Sequence, residues 1–283
     1  MTSSQGLRRS LLTLLLSLVV GASAQTAQKP FEPQVGQKGK DRTWVPSSPA
    51  VVDKMLDLAG VTAQDYVVDL GSGDGRIVIA AAKRGARAQG VEYNPDMVEL
   101  SKRNADKEGV ASKATFVQGD LFESDLSQAA VVTMFLISEI TLKLRPKLFN
   151  LKPGTRVVSN SFRIDAWDPD ETARVNQGCT DWCTAVLWVV PAKVAGTWRL
   201  PQGELTLEQH FQLISGTFKA GGDTLQVNGA KLRGDQIEFI VPEWVPPSPA
   251  TGNYTGRVNG NTMQGMAFGG KGGTNWTATR DAR

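Results

Sequence analysis

The sequence "VVDLGSGDGRIVIAAAKRG" runs from Val67 to Gly85 and contains the features that decide the fold. A short apolar run typical of a buried strand is followed by a glycine-rich segment and then by apolar residues at helical spacing. Glycines permit positive φ angles and let a ligand approach the backbone closely, so this strand–turn–helix pattern predicts a cofactor site. The cofactor-binding residues predicted in this stretch are Asp69, Gly71, Ser72, Gly73, Asp74 and Gly75.

Two further acidic residues follow later strands of the same pattern. Glu92 ends the second predicted strand, where it is placed to bind the vicinal hydroxyls of a ribose. Asp120, in "QGDLFE", follows the third predicted strand, where it would meet an adenine amino group. Three separate loop positions therefore match one nucleoside-binding site.

The loop itself distinguishes between cofactors that share adenine and ribose. NAD would place a pyrophosphate at the N-terminus of the helix, and its usual fingerprint spaces the glycines differently from the G-x-G-x-G found here. A carboxylate inside the loop repels a pyrophosphate but suits the charged amino group and the hydroxyls of S-adenosylmethionine. The pattern "DLGSGDG…VEYNP…GD" therefore favours S-adenosylmethionine as the cofactor and a class I methyltransferase as the protein.

The chain around this stretch alternates strands and helices. Ser48 and Pro49 predict the start of a first helix. Strands are predicted over 66–70, 88–92, 114–118, 129–137 and 154–159, and helices over 76–83, 95–107 and 138–150, with Pro146 limiting or kinking the last one. Segments 172–175 and 184–190 predict an edge hairpin. This order indicates an α/β fold, a Rossmann-like parallel sheet with helices on both faces.

The pattern changes at about residue 195. Short alternating runs separated by Gly, Asn and Asp turns replace the helical spacing. They predict a C-terminal antiparallel β domain, either a small barrel or a sandwich. The predicted organisation is a signal peptide over 1–24, a flexible linker over 25–43, a methyltransferase domain over 44–194 and the β domain over 195–283.

The N-terminal segment has the features of an export signal. Arg8 and Arg9 form a positive region, residues 11–20 are apolar, and the small residues 22–24 predict cleavage before Gln25. We therefore expect a periplasmic or extracellular protein. The alternative is an uncleaved N-terminal membrane anchor, although the apolar run is short for a bilayer span and no stable span is expected. The two arginines leave open whether export follows the general or the twin-arginine route.

Charge and cysteine content restrict the partners. Without residues 1–24, 29 basic residues face 28 acidic ones, so no electrostatic case exists for nucleic acid as a partner. Cys179 and Cys183 could form a disulfide in an oxidising compartment, but their spacing alone does not decide between a disulfide and two thiols. With no histidine nearby they make a poor zinc site, and no metal is predicted.

Six stretches between about Trp44 and Pro191 carry a family resemblance: "WVPSSPAVVDKML", "VVDLGSGDGRIVIAAAKRGA", "GVEYNPDMVELSKRNA", "FVQGDLF", "VVTMFLISEITLKLRPKLFNLKPGTRVVSNSF" and "DWCTAVLWVVP". Over these residues the chain resembles the family of the ATP synthase c-subunit lysine methyltransferases and its bacterial relatives, and more distantly the Dot1-type enzymes. The resemblance implies protein-lysine N-methylation with an unspecified protein substrate, and it implies that Trp44 covers the methionine end of the cofactor. The export signal and the β domain depart from the mitochondrial members.

Methyl transfer to an amine requires few catalytic side chains, because positioning for in-line attack supplies much of the rate enhancement. The Asp/Asn-Pro-Pro-Tyr motif is missing, and residues 135–139, "FLISE", stand after the fourth strand instead. This apolar lip could admit a lysine stem, with Glu139 as a catalytic candidate facing the ammonium. The alternative for Glu139 is an ordinary acid in the first turn of a helix. Asn160, after the fifth strand, is the second catalytic candidate.

Three functions remain open at this level. The first is an exported, S-adenosylmethionine-dependent protein-lysine methyltransferase. The second is a methyltransferase for a small molecule or lipid. The third is an exported binding protein on a retired methyltransferase fold, against which the acids Asp69, Glu92 and Asp120 argue.

Overall fold

The computed structural model describes Met1 and residues 31–40, 42–245, 248–269 and 272–281. Apart from Met1, the predicted signal peptide therefore lies outside the described residues. Residues 32–283 form one compact unit, which contains every element named below. Among the described residues, no helix combines the length and the apolar character needed to cross a membrane.

The first half of the unit is a seven-stranded sheet flanked by helices. The elements are α1 (Pro49–Leu58), β1 (Tyr66–Leu70), α2 (Arg76–Lys83), β2 (Arg87–Glu92), α3 (Pro95–Lys107), β3 (Ala114–Gln118), β4 (Val131–Met134), α4 (Ser138–Phe149), β5 (Arg156–Asn160), β6 (Glu171–Arg174) and β7 (Thr184–Val189). In the sheet the strands have the order β3-β2-β1-β4-β5-β7-β6; β1 to β5 are parallel, whereas β7 and β6 form an antiparallel hairpin at one edge. This arrangement confirms the predicted Rossmann-like class I methyltransferase fold.

Burial on both faces explains why the central strands read as apolar runs. Val67 packs in one core cluster with α1, α2 and α3, and the neighbouring Val68 packs in a second cluster with α4. Alternate side chains of β1 therefore enter opposite cores. The strand order reverses between β1 and β4, and ligands of such sheets bind at the carboxyl ends of the strands at this switch point.

The largest difference from the predicted bounds lies at the end of β4. The apolar run 129–137 predicts one long strand, but β4 ends at Met134, and residues 135–137 leave the sheet to line a cavity. Pro146 lies inside α4, which continues to Phe149. Hydropathy could not separate strand residues from cavity residues here, because both are apolar.

The second half of the unit is a nine-stranded antiparallel sheet. The strands are β8 (Gly196–Leu200), β9 (Gly203–His210), β10 (Leu213–Ala220), β11 (Asp223–Gln226), β12 (Asn228–Arg233), β13 (Gln236–Val245), β14 (Ser248–Asn259), β15 (Thr262–Gly269) and β16 (Gly272–Thr279). Their order in the sheet is β11-β10-β9-β8-β16-β15-β14-β13-β12. The segment between β11 and β12 returns to β10, where Val227 N–H donates to the carbonyl of Gly216 at 2.9 Å, so the sheet is nearly closed and resembles a small barrel.

An aromatic residue at the β9–β10 turn joins the two halves. The ring of Phe211 stacks on Trp167 with centroids 5.4 Å apart and meets Phe149 edge-to-face at 4.9 Å. The backbone of Phe211 has φ +53°, a strained value for a bulky residue, and the aromatic contacts offset that cost. The second sheet is therefore packed against the first rather than tethered to it.

Candidate cofactor and acceptor site

A cavity of about 390 Å³ opens at the carboxyl ends of the parallel strands. Its lining includes every predicted cofactor-binding residue except Gly75. The predicted residues that line it are Trp44, Asp69, Gly71, Ser72, Gly73, Asp74, Glu92 and Asp120. The structure therefore brings together nearly all of the residues that sequence reasoning assigned to the cofactor.

The glycine loop needs its glycines for two different reasons. Gly73 has φ +55°, and a Cβ there would lie 2.5 Å from Nε1 of Trp44. Gly75 is absent from the cavity lining; a Cβ on it would come within 2.8 Å of the ring of Phe116 and 2.9 Å of Ser101. Gly75 thus allows α2 to pack closely against its neighbours, and the prediction that it lines the cofactor site is not met in this structure.

Hydrogen bonds from neighbouring elements hold the loop in place. Glu92 Oε2 accepts from the N–H of Gly73 at 3.0 Å, and its Oε1 accepts from the N–H of Asn94 at 2.9 Å. From α3, Ser101 Oγ donates to the carbonyl of Gly73 at 2.8 Å and Asn104 Nδ2 donates to that of Asp74 at 2.9 Å. Sequence reasoning missed Ser101 and Asn104, although their i, i+3 spacing places them on one face of the helix.

Asp74 and Ser72 have different surroundings from those predicted. The carboxylate of Asp74 is held by Arg76, whose Nε and Nη2 lie 2.9 and 2.5 Å from its oxygens, and Arg76 Nη1 also donates to the carbonyl of Ser47 at 2.6 Å. The hydroxyl of Ser72 lies against Gly90, where a Cβ would approach it to 2.5 Å. Asp74 therefore ties the loop to the segment before α1, and Ser72 fills space beside β2.

Asp69 is the buried acid of the site. It is 2% exposed, and its Oδ1 accepts from the hydroxyl of Thr133 at 2.6 Å across the β1–β4 pairing. Burial raises the pKa of the Asp69 carboxyl to about 7, and the negative charges of Glu92 and Asp74 add to the increase, whereas the bond from Thr133 opposes it. A positively charged ligand in the cavity would favour the ionised carboxylate.

The segment before α1 forms an N-terminal hairpin over the cavity, here meaning residues 34–40 and 42–44. A β-bridge joins Lys38 to Thr43, and Trp44 exchanges backbone hydrogen bonds with Gly36 and Gln37 at 2.9 Å each. The sequence predicts part of a flexible linker here. The polar composition of this segment gives no sign of packing, but its backbone hydrogen bonds form a hairpin, and residues of the hairpin line the cavity.

The N-terminal hairpin meets the predicted adenine side of the site. Lys40 Nζ lies 2.6 Å from Oδ2 of Asp120 and 4.9 Å from the centroid of the Tyr93 ring. The hydrogen bond from Lys40 holds the pKa of the Asp120 carboxyl below its ordinary value, with a further contribution from the N–H of Phe122. Asp120 therefore stays ionised at neutral pH and helps to close the hairpin over the cavity.

Neither predicted catalytic residue lines the cavity, so these assignments are corrected. Glu139 points to solvent from the first turn of α4 and pairs with Arg42 at 3.4 Å, which matches the alternative of an ordinary helix acid. Asn160 is 1% exposed at the end of β5, and its Nδ2 donates to Ser47 Oγ at 2.9 Å. Asn160 thus supports a cavity-lining residue from behind, which spacing along the sequence does not reveal.

The side of the cavity away from the glycine loop is apolar and aromatic. Phe135, Leu136 and Ile137 come from the segment after β4, Phe162 follows β5, and Trp182 comes from the loop between β6 and β7. Sequence reasoning placed residues 135–137 in an apolar lip over 135–139 but gave Trp182 no role in the site. Its neighbours in the sequence gave no sign that the β6–β7 loop reaches the site.

The donor set of the cavity fits S-adenosylmethionine. Among the described residues, four carboxylates line it, and they suit a ligand with a sulfonium, an ammonium and ribose hydroxyls. Asp74 accepts from the N–H of Arg76, the first residue of α2, and so occupies the helix end where a pyrophosphate would bind. Glu92 and Asp120 stand after adjacent strands, where a nucleoside would lie. Bound there, S-adenosylmethionine would supply an electrophilic methyl group, and the chain would orient the acceptor toward it.

Comparison with known proteins identifies the family. A profile described as the ANTKMT methyltransferase domain matches residues 69–171. A protein-lysine N-methyltransferase from Saccharolobus islandicus is 47% identical over 138 residues, which cover 48% of this chain and 86% of that protein. The chain belongs to this methyltransferase family.

Two further comparisons extend this result. The methyltransferase is 38% identical over 148 residues to the human lysine N-methyltransferase of the ATP synthase c-subunit, covering 52% of this chain and 59% of the human protein. A crystal structure titled as an RNA methyltransferase from Salinibacter ruber, in complex with S-adenosyl-L-homocysteine, has a TM-score of 0.50 and 47% identity, and covers 53% of this chain and 96% of that one. The protein is thus an S-adenosylmethionine-dependent methyltransferase, and these matches cover about half of it.

Replacing Glu92 by Ala should weaken S-adenosylmethionine binding by about 1–3 kcal/mol, because the change removes the predicted ribose partner and the acceptor that holds the loop at Gly73. Calorimetric titration of the purified protein measures the loss. Glu99→Ala, which removes an exposed acid that pairs with Lys102 on the surface of α3, is the control and should bind like wild type. Equal binding by the Glu92 variant would contradict the assignment.

Replacing Asp69 by Asn should stabilise the ligand-free protein while abolishing tight cofactor binding. The folded pKa of about 7 exceeds the unfolded value of about 4, so wild type loses stability as the pH rises from about 4 to about 7, and Asn does not. The stability gap should therefore grow over that range and stay constant above it. Thermal melts between pH 4 and 9 measure this gap.

The same titration predicts the pH dependence of binding. A cationic cofactor favours ionised Asp69, so wild-type affinity should increase as the pH rises toward 7 and level off above it. If the Asp69→Asn variant melts like wild type at pH 8, burial of the ionised carboxyl does not cost stability. If the variant binds cofactor normally, the carboxylate of Asp69 does not contribute to cofactor binding.

Proposed function

We propose that the protein methylates lysine side chains of other proteins and does so outside the cytosol. The observation that carries the lysine assignment is the apolar acceptor side of the cavity, formed by Phe135, Leu136, Ile137, Phe162 and Trp182. A lysine has a long aliphatic stem that suits such a channel. Its amine must lose a proton before it attacks the methyl group, and the nitrogen becomes positively charged again as the new carbon–nitrogen bond forms.

The acids of the described cavity support this division of roles. Asp69 and Asp74 belong to the first strand and its loop, Glu92 ends β2, and Asp120 follows β3, so all four lie on the cofactor side of the switch point. The acceptor side is left to apolar groups. The relatives from Saccharolobus islandicus and human, both named as lysine N-methyltransferases, support the same acceptor.

An RNA acceptor is the second candidate, because the Salinibacter ruber relative carries that description. Two of the cations that line the cavity are paired with carboxylates: Lys40 with Asp120, and Arg42 with Glu139. Phosphate binding would have to compete with these carboxylates. Charge therefore favours the protein acceptor over RNA.

The extracytosolic location rests on the sequence and on one bond. Residues 1–24 have the charge, apolar run and small residues of a cleavable export signal. Cys179 and Cys183 form a disulfide, a bond that persists in oxidising compartments. Both features support export, by either route.

Methylation of a cell-envelope protein extract with isotopically labelled S-adenosylmethionine tests the acceptor. The label should appear in the protein fraction and, after acid hydrolysis, in methylated lysine. Glu92→Ala should reduce the incorporation, and Glu99→Ala should leave it at the wild-type level. Label in RNA would favour the RNA acceptor. Label in lipid or small molecules would contradict both the protein acceptor and the RNA acceptor.

Protein recovered from its native source should begin at Gln25 and contain no free thiol, because cleavage follows the small residues 22–24 and the two cysteines are joined. Intact mass and thiol titration measure both. A mass that includes residues 11–20 would support the membrane anchor instead, and two reactive thiols would argue against an oxidising compartment.

A further inference from the structure

Three properties of Trp182 are not explained by packing in a hydrophobic core. Its side chain is 46% exposed, its backbone has φ +52°, and it lies in the short loop closed by the Cys179–Cys183 disulfide. Exposure of a large aromatic ring and a left-handed backbone both cost free energy. Such a cost at a cavity mouth points to a functional constraint, since Trp182 also belongs to none of the buried core clusters.

Trp182 completes what we call the aromatic wall: Phe135, Phe162 and Trp182, all of which line the cavity. The ring of Phe135 lies 5.8 Å from that of Trp182 at an interplanar angle of 62°, and 5.9 Å from that of Phe162 at 31°. The wall therefore bends around Phe135 instead of presenting parallel faces.

The opposite end of the wall is also held by a strained backbone. Ser161, directly before Phe162, has φ +59°, and its hydroxyl donates to Oδ1 of Asn160 at 3.0 Å. Asn160 is in turn fixed by its bond to Ser47 Oγ. Two non-glycine residues with positive φ thus place two rings of one surface.

We propose that the aromatic wall binds the amino group of the methyl acceptor, and that the disulfide loop holds Trp182 in place for this purpose. The proposal rests on the proposed lysine acceptor. Aromatic faces attract cations, with Trp the strongest of the three ring types. The three rings line one cavity and are inclined to one another by 62° and 31°, so they offer a compact ammonium ring faces in more than one direction, whereas a flat nucleobase stacks best on parallel faces.

The disulfide is what allows the wall to include a ring on a surface loop. Cys179 packs against the core cluster that contains residues of α1 and α2, and Cys183 is anchored by its carbonyl, which accepts from the N–H of Val175 at 2.8 Å. The bond between the two cysteines fixes the intervening backbone, including Trp182. Without it, Trp182 can relax from its left-handed conformation and leave the wall.

The test uses a cation and a neutral molecule of the same shape, so that it does not depend on turnover. Choline and its uncharged analogue 3,3-dimethylbutan-1-ol are titrated into the full-length protein bound to S-adenosylhomocysteine. Indole signals of ¹⁵N-Trp-labelled protein are followed by NMR, with Trp182→Leu identifying the signal of Trp182. We expect choline to shift that signal and to bind about threefold or more tightly than the analogue, the ratio that a cation–π contact gives at a part-exposed site.

Variants separate the wall from the fold. Trp182→Leu and the double change Cys179→Ser with Cys183→Ser should each abolish the preference for choline, measured by ligand-detected NMR, while calorimetry shows unchanged S-adenosylmethionine binding. Phe268→Leu, which alters an aromatic residue of similar exposure (48%) on β15, should keep the preference. Equal binding of choline and the analogue to wild type, or a preference that survives Trp182→Leu, would overturn the proposal.

The experiments test the lysine acceptor and the cation-binding role of the aromatic wall separately. If labelling yields no methyl-lysine but choline still binds in preference to its analogue, the wall is retained and the lysine acceptor is withdrawn. If methyl-lysine forms and the preference is absent, the acceptor is retained and the wall is wrong. Uridine shifting the Trp182 signal at lower concentration than choline would assign the wall to base stacking and overturn the cation assignment.

Discussion

The site depends on one carboxylate that satisfies two backbone N–H groups. Glu92, at the end of β2, accepts from Gly73 in the loop after β1 and from Asn94, whose own side chain caps α3. One residue thereby sets the relative positions of the glycine loop, the second strand and the helix that carries Ser101 and Asn104. The loop then presents an open backbone toward the cavity, which a glycine sequence without these bonds would not do reproducibly.

Several features of the molecule cost stability and are concentrated where ligands would bind. Asp69 is buried near two other acids, and this placement raises its pKa and favours the protonated carboxyl in the ligand-free protein. A cationic ligand would favour the ionised form. A methyltransferase whose cofactor is cationic can recover this cost on binding. The same reasoning explains why an acid stands at the end of a strand that is otherwise apolar on both faces.

Backbone strain follows a comparable pattern. Within the described residues, positive φ at non-glycine positions occurs at Ser161, Ala166, Trp182 and Phe211. Each of these is either an aromatic residue or directly precedes one. Two of them serve the aromatic wall, and the other two serve the stacked contact of Trp167 with Phe211 that joins the sheets. In this protein the strained positions aim aromatic rings at particular neighbours, which regular strand or turn geometry would not allow.

The sequence by itself determined the class of sheet, the positions of most helices and the cofactor acids, because these depend on local periodicity and on residues that directly follow strands. It also identified the edge hairpin and the cap at Ser48, which accepts from Val51 N–H at 3.3 Å. Tertiary structure decided the rest. The end of β4, the packing role of Gly75, the ordering of the N-terminal hairpin over the cavity, and the removal of Glu139 and Asn160 from the cavity lining all depend on contacts between distant segments. Trp182 and Phe135 are 47 positions apart in the numbering and meet only because the sheet places the β6–β7 loop beside the end of β4; no local pattern encodes that proximity.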